Sequence, residues 1–176
     1  MSFINCLDMS WVCRAILGLI SVVYLNGCMS VNAVETRNLE KPDQPFQRAL
    51  YVQYAELALR EIEEGNVSSA ELFDRKARLA AAGENVAIPS VPDSLSVDAK
   101  LVDLNVGQKA LQKHFTQQSY LHMPVVSARA QAMLDCWIEE LDQGVDIGDI
   151  AACRQAFERA IAVLNDALSV KNKPIK

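Results

Sequence analysis

Apolar residues recur at spacings of three and four along most of this chain, which is the pattern of amphipathic helices that pack on one another. The clearest stripe holds Ile150, Phe157, Ile161 and Leu164. Glycine and proline fall mostly at the breaks between such stripes, where helices begin and end. The sequence therefore predicts an all-α protein, built as a compact bundle of about five helices. These helices are expected at residues 45–64, 68–82, 97–118, 124–142 and 148–169.

A short apolar run near the N-terminus has a different meaning. It covers residues 15–25, directly after Arg14. A run of this length is too short for a membrane-spanning helix, which needs about 20 residues, and it fits the apolar region of a secretory signal peptide. Asp8 is unusual ahead of such a region, so translation from Met9 is an alternative start. The other alternative is an N-terminal membrane anchor that is never cleaved.

The apolar run ends at Leu25, Asn26, Gly27 and Cys28. Leu25, Gly27 and Cys28 resemble the sequence at which bacterial lipoproteins are cleaved and lipidated on cysteine. The resemblance implies a lipoprotein signal peptide at residues 1–27 and a lipid on Cys28. Membrane binding would then be covalent, and the several acyl chains of a bacterial lipoprotein anchor stably.

Two polar segments flank the predicted helical domain at residues 45–169. Residues 28–44 have no hydrophobic period, which is typical of a flexible tether from the lipidated cysteine. A coil of that length averages roughly 20–25 Å from end to end. Residues 170–176 contain three lysines and a proline, and they predict a frayed basic tail.

The cysteines predict one disulfide. Cleavage before Cys28 and lipidation of that residue would leave only Cys136 and Cys153. An even remainder in an exported chain favours a disulfide. The two residues are equidistant from a turn at residues 144–145, so facing Cα atoms of an antiparallel hairpin would lie roughly 4–5 Å apart, within bonding range. We predict that this disulfide links the last two helices; two buried free thiols are the alternative.

The formal net charge of −5 narrows the range of partners. An acidic surface disfavours nucleic acid and any strong electrostatic attraction to anionic phospholipid. His114 and His122 are the only histidines, and their spacing does not match a helical metal site. We interpret them as satisfied or solvent-facing. With no phosphate-binding loop and no nucleophile elbow in the sequence, we expect no catalytic residue, no metal and no cofactor.

Carboxylates and aromatic residues are the remaining candidates for chemistry or binding. Acidic residues cluster near the ends of two predicted helices, and we interpret them as solvated surface charges. Aromatic residues at helical spacing belong to a core more often than to a binding surface, and Trp137 fits that rule. Tyr51 is the best candidate for an exposed partner contact. The acidic residues that cluster near the ends of the two predicted helices are Glu61, Glu63, Glu64, Glu139, Glu140 and Asp142.

Residues 128–164 carry a family resemblance. The Asp-Cys-Trp sequence that ends at Trp137, the Ala-Ala-Cys-Arg sequence that ends at Arg154, and Phe157 resemble the helical N-terminal region of some outer membrane protein A-like lipoproteins of proteobacteria. In that family the helical region precedes a peptidoglycan-binding domain, which has no counterpart here. The resemblance implies a stand-alone helical module on the periplasmic side of a Gram-negative envelope. Met29 resembles the residue that permits sorting to the outer membrane.

These observations favour a lipid-anchored, non-catalytic scaffold or adaptor that binds another envelope protein. The main alternative is a tetratricopeptide-like binding module, because residues 51–82 resemble one helix-turn-helix unit. Such solenoids need about three units or more, and the sequence has no second copy at that period. A cell-wall-remodelling enzyme or its helper is a further alternative.

Overall fold

The computed structural model of the chain describes residues 33–92, 99–144 and 146–171. These residues are all-helical and compact, which confirms the predicted fold class. The predicted signal peptide at residues 1–27, the lipidation site Cys28 and residues 172–176 of the predicted tail lie outside this part of the chain. The helices are α1 Ala33–Arg37, α2 Pro45–Glu63, α3 Val67–Ala81, α4 Ala99–Thr116, α5 Ser119–His122, α6 Pro124–Gln143 and α7 Ile147–Lys171.

The five long helices are those that the apolar stripes predict, and local signals set most of their ends. Pro45 occupies the first turn of α2, where its missing N–H is not needed. Gly65 and Gly144 adopt left-handed φ values of 81° and 65° in the turns after α2 and α6. Glycine takes this conformation without steric cost, so both helices stop there. Helix α3 is capped by Asn66, and it begins one residue before the predicted start.

Two short helices, α1 and α5, were not predicted. Helix α1 lies in residues 28–44, where we expected only a flexible tether. Thr36 of α1 is fully buried and donates a hydrogen bond to the Asp74 carboxylate of α3. The structure therefore corrects the expectation of a coil for this part of the segment. Hydrogen bonds to distant residues hold α1, and such contacts leave no hydrophobic period in the sequence.

The core lies between two helical hairpins. Helices α2 and α3 form one hairpin, α6 and α7 form the other, and α2 packs against α6. Trp137 of α6 is buried, as predicted. The extended segment at residues 84–92 crosses this core: Gln131 donates to the carbonyl of Val86 at 3.0 Å, and Gln108 donates to that of Pro89 at 2.8 Å. These side chains satisfy backbone groups that no helix can satisfy there.

Helix α4 lies against α6 and α7, and Gly107 permits its close approach. A Cβ atom at Gly107 would lie 2.9 Å from Cε1 of Phe157 and 3.3 Å from Cζ3 of Trp137. The sequence alone predicts only that this glycine weakens the helix. In the structure it lets the backbone of α4 rest on two aromatic rings of the second hairpin.

The Cys136–Cys153 disulfide is present, with Cα atoms 5.7 Å apart. It joins α6 to α7, as predicted, and both residues are buried. The link therefore fixes the second hairpin from inside the core.

Among the residues that the structure describes, we find no helix that combines the length and the hydrophobicity needed to span a bilayer.

Replacing both Cys136 and Cys153 by alanine should lower the free energy of unfolding by roughly 2–4 kcal/mol, because the link no longer restricts the unfolded chain. Urea unfolding followed by circular dichroism measures this loss. Reduction should destabilise the wild-type protein to a similar degree and leave the double variant unchanged. Two titratable thiols at these positions in unreduced protein from the cell envelope would contradict the assignment.

Candidate functional site

Tyr51 is buried, so it cannot be the exposed partner contact that we expected. Its side chain is 1% exposed. The hydroxyl lies 2.8 Å from the carbonyl oxygen of Thr36 and 2.7 Å from that of Arg37. The unpredicted helix α1 covers this ring, which explains the error. Tyr51 is instead the residue that fastens α1 to the bundle.

The densest cluster of charged groups surrounds Arg60, where α2, α6 and α7 meet. One guanidinium nitrogen of Arg60 lies 2.7 Å from the Glu140 carboxylate and 3.0 Å from that of Glu61. The same nitrogen lies 3.2 Å from Sγ of Cys136 and 3.8 Å from Sγ of Cys153. The cation therefore bridges two carboxylates beside the disulfide.

The interpretation of the acidic residues near the helix ends as solvated is wrong for Glu61 and Glu140. Glu61 is fully buried, and Glu140 is only 6% exposed. Both fall near the ends of helices, where the sequence pattern alone indicates solvent. The two ends converge on Arg60 and the disulfide, and this convergence removes the two carboxylates from water. Glu63, Glu64 and Asp142 are exposed, as expected, and Glu139 is half-buried.

Burial and crowding change the proton affinity of this cluster. Burial raises the pKa of Glu140 to about 7, with the neighbouring carboxylate of Glu61 acting in the same direction and Arg60 opposing both effects. Burial also raises the pKa of Glu64, which Arg60 again opposes. Near neutral pH, Glu140 therefore exchanges a proton at the helix junction.

A cavity of about 480 Å³ opens next to this cluster, in the turns after α2 and α6. Four carboxylates line it, those of Glu64, Glu140, Asp146 and Asp149. Oxygen atoms of Glu61, Glu64 and Glu140 lie within 4.8 Å of one another, which is close enough to share a cation. In the structure that shared cation is the guanidinium of Arg60, so the cluster is an ion-pair network.

The two histidines lie in different environments. His114 is buried in α4, and its Nε2 lies 3.1 Å from Oδ1 of Asn165 in α7. Its Nδ1 is buried and has no hydrogen-bond partner among the described residues, so it is satisfied at only one nitrogen. Burial lowers the pKa of His114, which keeps the ring neutral at pH 7. His122 is exposed, as the interpretation expected.

An apolar groove between α4 and α7 is the surface that sequence reasoning missed. It has a volume of about 300 Å³, and Gly107, Trp137 and Phe157 are among its lining residues. Val106 is 63% exposed on the α4 side, and Val102, one turn earlier, is exposed as well. These valines lie about 180° around α4 from its buried leucines. The sequence did carry a signal for this groove, because Val102 and Val106 are apolar residues that lie outside the buried stripe of α4.

Charged side chains form the rim of this groove. The guanidinium of Arg154 lies 5.2 Å from the centre of the Trp137 ring, in a cation–π contact. Arg154 also pairs with Asp103 at 3.0 Å and with Glu158 at 2.8 Å. Two carboxylates therefore face one guanidinium, and the rim is slightly acidic.

Comparison with known proteins finds no family model, no curated protein and no solved structure that matches this chain. The resemblance to outer membrane protein A-like lipoproteins stays a prediction. The geometry of the described residues therefore carries the functional argument.

The proton affinity of Glu140 predicts that stability depends on pH. An unfolded chain ionises this carboxyl near 4.5, whereas the folded protein keeps its proton to about 7. The folded state binds more protons between these values, so stability is greatest below this window and falls as pH rises through it. The expected loss is on the order of 3 kcal/mol, measured by urea unfolding across the window.

Glu140→Gln should remove most of this slope, because glutamine resembles the protonated acid. Glu63→Gln is the matched control, since it removes an exposed carboxylate of α2 and should leave the slope in place. An unchanged slope in Glu140→Gln would show that another group titrates.

Proposed function

We propose that this protein is a lipid-anchored, non-catalytic adaptor of the cell envelope in a Gram-negative bacterium, held at the periplasmic face of the outer membrane through Cys28. The buried Cys136–Cys153 disulfide carries the proposal. Disulfides of this kind persist in oxidising compartments such as the periplasm. With these two cysteines bonded to each other, Cys28 is the one left for lipid after cleavage at the Leu25–Cys28 sequence.

The groove between α4 and α7 supports the adaptor role. Trp137 and Phe157 are each only 3% exposed and form the rigid floor of the groove, so the contact area for a partner comes from the exposed side chains around them. The exposed valines Val102 and Val106 extend the apolar area on α4. Because the rim is slightly acidic, we assign to this groove an apolar segment that carries a basic side chain, contributed by another envelope protein.

The anchor is tested by Cys28→Ser. We expect the wild-type protein to incorporate labelled palmitate and to sediment with membranes, because lipidation requires the sulfur of Cys28. The Cys28→Ser variant should lose both properties. The double Cys136→Ala, Cys153→Ala variant is the control, since it removes two cysteines and should keep the lipid. Membrane sedimentation and palmitate labelling that survive in Cys28→Ser would contradict the anchor.

The groove is tested by site-specific photo-crosslinking in cells. A photoreactive residue at Val106 should give a discrete product with an envelope protein, whereas one at Val67 should not. Val67 is a suitable control because it is 58% exposed on α3, away from the groove residues. Asp103→Lys with Glu158→Lys should abolish the product, because the rim then carries only positive charge and repels the basic side chain of the partner. Equal products from both positions would contradict a specific site.

A further inference from the structure

Helix α1 shortens the link between the proposed lipid and the folded domain. This inference rests on the proposed anchor at Cys28. A coil that reached to Pro45 would let the domain move freely above the membrane. Because α1 is docked on the bundle, the link from Cys28 ends at Ala33, only five residues further along the chain. Such a link spans at most about 18 Å. The surface around α1 must therefore stay close to the bilayer.

The docking of α1 is well defined. The Tyr51 hydroxyl contacts the backbone carbonyls of Thr36 and Arg37. The side chain of Thr36 is buried against Asp74, which Arg78 holds through an ion pair of 2.8 Å. The Tyr51 hydroxyl donates its one hydrogen to one of these terminal carbonyls at a time, and together these contacts hold a helix that is too short to be stable alone.

A second cavity lies beside the segment that follows α1. It has a volume of about 360 Å³, and most of its lining is apolar. Lys41 and Arg48 are its charged lining residues, and no carboxylate is among them. The Arg48 side chain is fixed by hydrogen bonds to the carbonyls of Pro42 at 2.9 Å and Asp43 at 3.0 Å. Val125, on the α6 side, is 65% exposed.

The charges at the two ends of α2 indicate which end can face an anionic bilayer. Arg48 lies near the start of α2, whereas Glu61 lies near its end, roughly 20 Å away at the rise of an α-helix. The end of α2 also carries the acidic cavity lined by Glu64 and Glu140. Exposed Glu40 and Asp43 balance Lys41 and Arg48 at the first end, so an anionic bilayer would repel the acidic second end and leave the first end free to approach. The net charge of −5 conceals this local asymmetry.

We infer that the cavity lined by Lys41, Arg48 and Val125 lies against the membrane and takes the headgroup of an anionic phospholipid. The phosphate binds between Lys41 and Arg48, and Val125 enters the interfacial region. The lipid on Cys28 supplies the affinity, and this surface sets the orientation of the domain. The acidic cavity and the end of α2 then point toward the periplasm.

The test uses tryptophan fluorescence of the lipidated protein in vesicles that contain phosphatidylglycerol, and the emission of the buried native Trp137, measured in the protein without an added tryptophan, is subtracted. Val125→Trp places an indole in the proposed contact, and Val67→Trp places one at the far end of the first hairpin, at a similarly exposed position. With brominated phospholipids, we expect loss of the emission at position 125 and no loss at position 67. Equal quenching at both positions, or none at 125, overturns the inference.

Two further variants test why brominated lipid quenches the indole at position 125. In the Val125→Trp background, Lys41→Glu with Arg48→Glu should restore the emission, because the phosphate is no longer attracted. Tyr51→Phe should restore part of it, because it frees α1 and lengthens the link; Tyr120→Phe is the control and should not. Quenching that persists in the charge variant overturns the headgroup assignment.

The same preparations separate this inference from the proposed function. The mass of the purified protein shows whether Cys28 carries lipid. A lipidated protein without quenching at position 125 contradicts only the membrane surface, whereas an unlipidated protein contradicts the anchor and the inference together. Protection of the indole at position 125 from an aqueous quencher, without quenching by brominated lipid, would show that a second copy of this chain covers the cavity, and it would overturn the assignment of a lipid headgroup.

Discussion

The disulfide between Cys136 and Cys153 is the constraint on which most of this structure depends. It fixes α6 to α7 at the level where the aromatic floor of the groove begins. Arg60 of α2 contacts both sulfurs, and the same guanidinium holds the buried Glu61 and Glu140. Removing one partner from such a network leaves a buried charge without compensation, which is far more costly than losing a surface ion pair. The covalent link and the ion-pair network therefore act together to join the two hairpins.

The two ends of α2 have opposite characters, and this asymmetry connects the fold to the proposed function. Its first turns carry Arg48 beside an apolar cavity, and its last turn carries buried and exposed carboxylates. Helix α1 brings the chain that leads to Cys28 back onto the bundle through Tyr51. Under the proposed anchor at Cys28, the short link and the acidic end of α2 would give the domain a preferred orientation. The groove between α4 and α7 belongs to other elements, so membrane and partner need not compete for one surface.

The sequence predicted what depends on periodic burial and on cysteine number. The five long helices follow from apolar stripes such as that of Ile150 and Phe157, and the disulfide follows from the positions of Cys136 and Cys153 around a turn. The predictions from the sequence were wrong where contacts between residues far apart in the chain override the local hydrophobic pattern. Tyr51 lies beside a recognisable stripe, but the segment that buries it has no pattern of its own. Glu61 and Glu140 look like surface charges until the helix ends that carry them meet at Arg60.

The most direct test of the central claim is the intact mass of the protein purified from the cell envelope without reduction. We expect a chain that begins at Cys28, carries acyl groups on that residue, and does not react with a thiol-alkylating reagent at Cys136 or Cys153. A chain that retains its N-terminal residues and an unmodified Cys28, or that is alkylated at Cys136 and Cys153, would contradict the account of an exported, lipid-anchored, disulfide-linked protein.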